Sequence, residues 1–294
     1  MRAVKKPMST DSVITVIRQG NILHNGEHYH LTGTMNSDEK SRFGGITRLY
    51  GQAATDALTN SHVCVAGIGG VGSWTAEALA RSGIGTITLI DLDDVCTTNT
   101  NRQIHALTDT VGNAKVEVMK SRIHAINPQC TVNAIEDFVT EETVADYLTQ
   151  EMDVVIDATD SIKAKAAMIH HCKRRKITII TVGGAGGQID PTQITRGDLA
   201  KTTQDPLAAK LRSELRRFYG FSKNPKRRFG VECIYSTEQL RYPQPDGSVC
   251  FNKSAMEGGT RLDCAGGFGA VVTVTATFGM FAAASAINRI TGQK

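Results

Sequence analysis

The chain has 294 residues, of which 40% are hydrophobic and 21% charged, with a formal net charge of +4. This length buries a sizeable core, and this balance excludes collagen-like, low-complexity and wholly disordered chains. Seven cysteines (64, 96, 130, 172, 233, 250 and 264) are scattered with no C-x-x-C pair; this excludes the usual structural-zinc spacing and a thioredoxin-like redox motif, and fits reduced thiols in the cytoplasm.

Residues 1–40 are polar, show little periodicity and carry a turn signal at Asn25-Gly26. They read as a partly disordered extension outside the main fold, and the apolar run at 13–17 is too short for a signal-peptide core. From residue 61 strands alternate with helices. Strands are predicted at 62–66, 86–90, 131–135, 153–156 and 177–182, and helices at 73–81, 114–126, 141–148 and 163–176. Within 114–126, Val116, Met119, Ile123 and Ile126 share one face, and the helix stops before Asn127-Pro128. Such alternation predicts βαβ units: an α/β, Rossmann-like, doubly wound and mostly parallel sheet, with its core at 41–190. Ligands of such sheets lie at the carboxyl ends of the strands.

Past Gly187 the alternation lapses, and residues 191–294 read as an elaboration of the same globular unit. They comprise a basic helix at 205–221, a basic loop at 222–228, short strands and turns at 231–249, and an uncharged stretch at 268–287. That stretch is long enough to span a bilayer but is diluted by Gly269, Thr273, Thr275, Thr277, Gly279 and Ser285. A buried or interfacial helix is the favoured reading, with membrane contact as the minor alternative.

Gly67-Ile68-Gly69-Gly70-Val71-Gly72 follows a strand and opens a helix, and Asp91 ends the next strand. This spacing makes a tight turn whose backbone N–H groups approach phosphate, with an acid placed for a ribose hydroxyl. The glycines alone leave an NAD-binding oxidoreductase open. Asp91-Leu92-Asp93-Asp94-Val95, Asn99, Asn101-Arg102-Gln103 and Gly112-Asn113-Ala114-Lys115 then add cations that hydride transfer does not need. Attack of a carboxylate on an α-phosphorus does need them, because pyrophosphate leaves with extra negative charge. Asp160, in Asp157-Ala158-Thr159-Asp160 at the end of a buried strand, either holds Mg2+ or caps the helix that follows.

With these four motifs in order, the chain resembles the ubiquitin-activating-enzyme-like adenylating proteins over about residues 42–187. The resemblance implies nucleotide contacts from Gly67, Gly69, Gly70, Gly72, Asp91, Asp93, Asn99, Arg102, Gln103 and Lys115. It implies catalytic roles for Arg102, Lys115 and Asp160, with Asp160 on Mg2+ and ATP as the nucleotide. It also implies a homodimer in which Arg48 or Arg42, in the segment before the first strand, serves the neighbouring subunit's site.

The paired C-x-x-C motifs of the sulfur-carrier activators are missing, as is a clear catalytic-cysteine domain. Cys233 is the best-placed single thiol and reads as buried and inert beside acidic Glu232. Lys210, Arg212, Arg216, Arg217, Lys223, Lys226, Arg227 and Arg228 are interleaved with Phe218, Tyr219, Phe221 and Phe229, and a second basic cluster spans 173–176. Basic groups track phosphates and rings stack unpaired bases, so Arg216, Arg217, Arg227 and Arg228 are candidate nucleic-acid contacts; a merely solvated helix face is the competing reading. Residues 42–51, 68–80, 98–107, 183–193, 198–211 and 262–278 resemble the tRNA-modifying members of the family. That likeness implies ATP-driven cyclisation, with net loss of water, of a threonylcarbamoylated adenosine next to the anticodon. It also implies a link to a cysteine desulfurase and its sulfur acceptor. Adenylation of a sulfur-carrier protein's C-terminus is the alternative within the family.

Overall fold

The structure, a computed structural model, describes residues 23–24, 27–28, 37–244, 246–251 and 268–293. Most of what the sequence suggests for residues 1–40 lies outside the described residues, as do Cys264 and residues 262–267.

The β-branched runs build one seven-stranded sheet. Its strands are β1 (His62–Ala66), β2 (Thr86–Ile90), β3 (Thr131–Ile135), β4 (Val154–Asp157), β5 (Thr178–Val182), β6 (Ile194–Asp198) and β7 (Glu232–Ser236). The spatial order is β3-β2-β1-β4-β5-β7-β6. All neighbours are parallel except β6, which runs antiparallel to β7. The chain winds outward from β1 to β3 and then returns to β4, so the order reverses between β1 and β4. Register puts Ala66 opposite both Ile90 and Asp157. The segments leaving β1, β2, β4 and β5 therefore emerge along one edge, where a doubly wound sheet binds its ligand.

Side chains alternate between two cores, as the pleat requires. Val63, Val65, Ile87 and Leu89 face α3 (Gly72–Arg81), α4 (Lys115–Ile126) and α8 (Val272–Thr291). Cys64, Ala66, Val155 and Ile179 face α6 (Ile162–Arg175) and α7 (Pro206–Phe218). Because β6 and β7 join this same sheet, residues beyond 190 complete the fold.

Near the start of the described chain, α1 (Ser37–Tyr50) and α2 (Gln52–Thr59) meet at Gly51, whose φ of 86° takes the left-handed region that favours glycine. The predicted helix at 141–148 shrinks to the single turn α5 (Val144–Tyr147). There Thr140 and Thr143 hydroxyls bind nearby backbone and each other, competing with helical bonds. The basic helix ends at Phe218. Gly220 turns left-handed (φ 71°) and Leu215 O accepts from both Tyr219 N (3.1 Å) and Phe221 N (3.2 Å), which closes the C-terminus.

Residues 272–287 of the uncharged stretch lie in α8, which packs against α3 and the sheet. A Cβ at Gly279 would lie 2.7 Å from Val71 O and 2.8 Å from Trp74 Cβ, so only glycine permits this approach. Among the described residues no helix is long and apolar enough to cross a membrane. Val274, Phe278, Ala282, Ala283, Ala286 and Ile287 of α8 are buried in the core, while Val272, Met280 and Phe281 stay exposed.

Candidate nucleotide site and basic face

Gly67 (φ 86°) turns the chain out of β1, and a Cβ there would lie 2.8 Å from the Ala158 carbonyl. At Gly72 a Cβ would lie 1.8 Å from Gly67 O. The loop therefore closes on itself and on the exit of β4, leaving a cradle that any side chain would fill. Val71, the residue before α3, offers no side-chain cap to the helix N-terminus. The first-turn amides and the helix dipole face a position suited to an anion.

Asp91 fixes the rim of the cradle. Its Oδ2 accepts from Ile68 N (2.6 Å) and its Oδ1 from Asp93 N (2.9 Å). Burial raises its carboxyl pKa above the usual range, against the opposing pull of Lys115 and of the two amides. Lys115 Nζ stands 3.8 Å from Asp91 Oδ1 and 2.7 Å from Asp93 Oδ2. Backbone bonds hold this arrangement: Lys115 N donates to Asp93 O (3.0 Å) and Val95 N to Asn113 O (2.9 Å). The segment after β2 is thus zipped to the start of α4, which explains how residues distant in sequence share one site.

The turn Thr97–Asn99 carries the next group. Asn99 is buried and its Oδ1 accepts from Cys96 N (3.0 Å), so it forms the turn. Asn101 Nδ2 donates to Ala270 O (2.8 Å), just before α8. Arg102 Nη1 donates to Thr98 O (2.7 Å) and Asn101 Oδ1 (3.0 Å), and its stem passes 3.4 Å from where a Gly70 Cβ would stand. The Arg102 carbonyl accepts from Trp74 Nε1 (3.0 Å) and Thr275 Oγ1 (3.3 Å), tying the turn to α3 and α8. Gln103 is buried beside Gly69, and its Oε1 has no hydrogen-bond partner among the described residues. A buried amide oxygen without a donor is costly, and a ligand hydroxyl or amino group would satisfy it.

At the end of β4 the structure adds a buried ion pair. Lys165 and Asp157 are both fully buried, with Nζ 3.1 Å from Oδ2. Lys165 Nζ also donates to Val182 O (2.7 Å), and Thr181 Oγ1 donates to Asp157 Oδ2 (2.6 Å). Thr159 N and Oγ1 donate to Asp157 Oδ1 (3.2 and 2.9 Å), so the pair shapes the turn leading to Asp160. Lys165 lies in an otherwise apolar run, Ala164 to Ile169, and a cation there was the available sequence signal. Ser161, not Asp160, caps α6 by accepting from Ala164 N (3.4 Å). Asp160 is exposed on the ligand-binding edge. Among the described residues no group of three or more His, Cys, Asp or Glu is placed to hold a metal. A hard cation at Asp160 would therefore complete its shell with phosphate oxygens and water.

Arg42 Nη1 reaches Ile126 O (3.5 Å), at the end of α4 opposite Lys115. The exposed Arg48 folds its guanidinium toward Gly44. Neither is brought to this chain's own glycine loop. Cys233 is buried, and burial, with Asp205 adding to it, pushes its thiol pKa well up, away from nucleophilic thiolate.

The two basic clusters converge. Lys173 and Arg174 of α6 line a cavity of about 370 Å3 with Tyr219, Phe221, Arg228 and Phe229. The Arg216 guanidinium lies 5.3 Å from the Phe229 ring centre and that of Arg217 4.9 Å from Phe218. Arg217, Arg227 and Arg228 are exposed. This face lies at the far end of α6, about 20 Å from the ligand-binding edge for 14 helical residues.

The fold and this cradle define a nucleotide-binding α/β protein with cations gathered where phosphates would lie. A profile of the ThiF family matches residues 45–294, and the chain belongs to that family. It is 59% identical over 251 residues to the tRNA threonylcarbamoyladenosine dehydratase of Escherichia coli (strain K12), which covers 85% of this chain and 94% of that one. It is also similar to the solved structure of the E. coli tRNA N6-threonylcarbamoyladenosine dehydratase in complex with ATP, at TM-score 0.78 and 52% identity over 88% of this chain and 97% of that one. The E. coli sulfur carrier protein ThiS adenylyltransferase is more distant, 34% identical over 134 residues, 45% of this chain and 53% of the relative.

Proposed function

We propose that the protein is an ATP-dependent tRNA threonylcarbamoyladenosine dehydratase. The observation that carries this reading is the Lys115–Asp93–Asp91 cluster over the glycine cradle, in a chain matching 94% of a dehydratase at 59% identity. Nearly full-length likeness to the dehydratase, against half-length likeness to the sulfur-carrier adenylyltransferase, favours tRNA over a carrier protein. The cations beside the loop favour acyl activation over hydride transfer.

In the proposed reaction a threonyl carboxylate oxygen bonds to the α-phosphorus of ATP, the bond to the bridging oxygen breaks, and pyrophosphate leaves. The carbamoyl oxygen then attacks the activated acyl carbon. AMP departs with the former carboxylate oxygen and the adjoining nitrogen loses its proton, so the nucleoside sheds one water in net terms. The loop amides seat the phosphates, Asp91 takes the ribose, Gln103 and Asn99 flank the nucleotide, and Arg102 and Lys115 stabilise the charge that develops. Asp160 would hold Mg2+, which neutralises charge on the leaving pyrophosphate when bound. No enzyme thioester is needed, consistent with a buried Cys233.

The outward placement of Arg42 and Arg48, with Leu49 74% exposed beside them, supports a homodimer in which this segment serves a neighbour's site. The exposed Arg217, Arg227 and Arg228, with Arg216, support a contact with tRNA phosphates. A link to a sulfur-transfer system rests on resemblance alone. The test is AMP release with ATP and Mg2+. Stimulation by threonylcarbamoylated tRNA and not by a Gly-Gly-ended protein supports the reading; the converse overturns it.

A further inference from the structure

The cavity of about 370 Å3 where α6 and α7 end is lined by aromatic rings that the backbone holds in place. Tyr219 and Phe221, both half-buried, stand on either side of left-handed Gly220, and Leu215 O accepts from both their amides. Tyr219 Oη donates to Glu141 Oε1 (2.9 Å), and Phe221 meets the Phe229 ring edge-on with centres 4.9 Å apart. The loop that follows Phe221 is pinned at its far end, where Asp198 accepts from Phe229 N (2.9 Å) and Gly230 N (2.8 Å). The rings are thus set before any ligand arrives, which lowers the cost of binding one.

The rim is cationic. Lys173, Arg174 and Arg228 line the cavity and are exposed, and among the described residues none of the three forms an ion pair. Lys173 Nζ donates to the Gly230 carbonyl (3.3 Å), which holds the ammonium beside the rings. His170 lies tilted on Tyr219 with ring centres 5.1 Å apart. Three cations without acid partners around a ring-lined cavity suit an anion that itself carries a ring.

We propose that this cavity receives an unpaired RNA nucleotide other than the reacting one, with its base against Tyr219 and Phe221 and its phosphates on Lys173, Arg174 and Arg228. The assignment rests on the reading that RNA is the substrate. Base faces stack on aromatic rings whatever the sequence, and the cations neutralise the flanking phosphates. The volume lies at the small end of the range typical of small-molecule sites, which suits one nucleoside. A duplex keeps its bases stacked on each other and would leave the rings uncovered. An acidic peptide would satisfy the cations and leave the rings equally unused. The cavity lies about 20 Å from the ligand-binding edge, the length of α6. That span is roughly six stacked nucleotides of one strand, so the site grips the tRNA at a second point, away from the reacting carboxylate. Its contacts are therefore common to modified and unmodified tRNA: it sets affinity and leaves the chemistry to the nucleotide site.

The test uses the full chain and three probes: a short single-stranded RNA, the same RNA annealed to its complement, and a polyglutamate peptide of equal charge. Phe221→Leu keeps an apolar side chain but removes the ring. It is expected to weaken single-strand binding roughly 10-fold, with duplex and peptide binding within about twofold of the parent. Replacing Lys173, Arg174 and Arg228 together by glutamine is expected to leave thermal melting unchanged. It should weaken single-strand binding and flatten its log–log salt dependence by roughly 2, at about 0.7 per phosphate. Bromouridine-containing RNA irradiated on the parent protein is expected to cross-link to Tyr219 or Phe221, which keeps the site testable should Phe221→Leu fail to fold. Whole tRNA should lose affinity for both variants alike in its modified and unmodified forms. Cross-links confined to other surfaces overturn the assignment, as does a folded Phe221→Leu protein with parental single-strand affinity. So does an equal loss on duplex or peptide, or polyglutamate binding as tightly as the single strand. These readouts need no turnover: if they hold while the parent releases no AMP with modified tRNA, the functional reading has failed and the RNA site stands.

Discussion

Lys115 Nζ lies 2.7 Å from Asp93 Oδ2, an ion pair whose acid side chain is 58% exposed while its lysine is only 7% exposed. The ammonium is thus desolvated by the fold yet held on its outer side by a solvent-facing carboxylate. In the proposed reaction a triphosphate would compete with Asp93 for it without opening the core. Lys115→Ala and Arg102→Ala should each lower AMP formation by about 10²-fold or more, the scale of a lost electrostatic stabiliser. Arg102→Ala should keep its melting temperature, since among the described residues its guanidinium bonds Thr98 and Asn101 of its own turn. Turnover measured beside thermal melts checks both, and retained activity removes the assigned role.

Asp160 stands exposed beyond a helix capped by Ser161, so its carboxylate is free of a capping duty. Asp160→Asn should raise the Mg2+ concentration for half-maximal activity roughly 10-fold or more while leaving stability unchanged. A magnesium titration of AMP release reads this directly. Parental activation would show that the metal is held elsewhere.

The basic face predicts a salt effect. Replacing Arg216, Arg217, Arg227 and Arg228 together by glutamine should weaken tRNA binding and flatten the dependence of log affinity on log salt by roughly 3, for close to one unit per phosphate lost. Binding isotherms at several salt concentrations measure it. An unchanged slope would move the phosphate contacts to another surface.

His105 is buried with neither ring nitrogen hydrogen-bonded among the described residues, and burial, with Lys115 and Arg122 adding to it, lowers its pKa to about 4. Its folded value lies below the ordinary 6.5, so the unfolded chain binds the extra proton. Stability from this residue is full above pH 6.5 and is lost progressively as pH falls toward 4, on the order of a few kcal/mol. Urea unfolding of the parent and of His105→Leu from pH 7.5 to 4.5 should show a steeper acid loss in the parent. Parallel curves would contradict the burial-driven shift.

The strands and glycine cradle were legible because periodicity and loop spacing are local signals. Asp91 and Asp160 stand out in the sequence because each follows a strand end, whereas Arg102 and Lys115 stand out only as cations near the glycine motif whose roles are those proposed above. The buried Lys165–Asp157 pair was not legible, because it exists only once α6 packs over the ends of β4 and β5. The antiparallel β6 was missed because Ile194–Asp198 is short, carries a glycine and gains its place only by pairing with β7. The convergence of the 173–176 cluster with Arg228 likewise exists only once α6 and α7 pack together. Asp160 as a helix cap could be set aside only when Ser161 was seen in that position.

The central claim is that these cations serve to join a tRNA-borne carboxylate to AMP. It is tested most directly by incubating the protein with ATP, Mg2+ and threonylcarbamoylated tRNA, then following nucleoside mass and AMP together. The account predicts loss of one water from the modified nucleoside, one AMP per event, and neither change with Lys115→Ala. An unaltered nucleoside, or water loss without AMP, would contradict it.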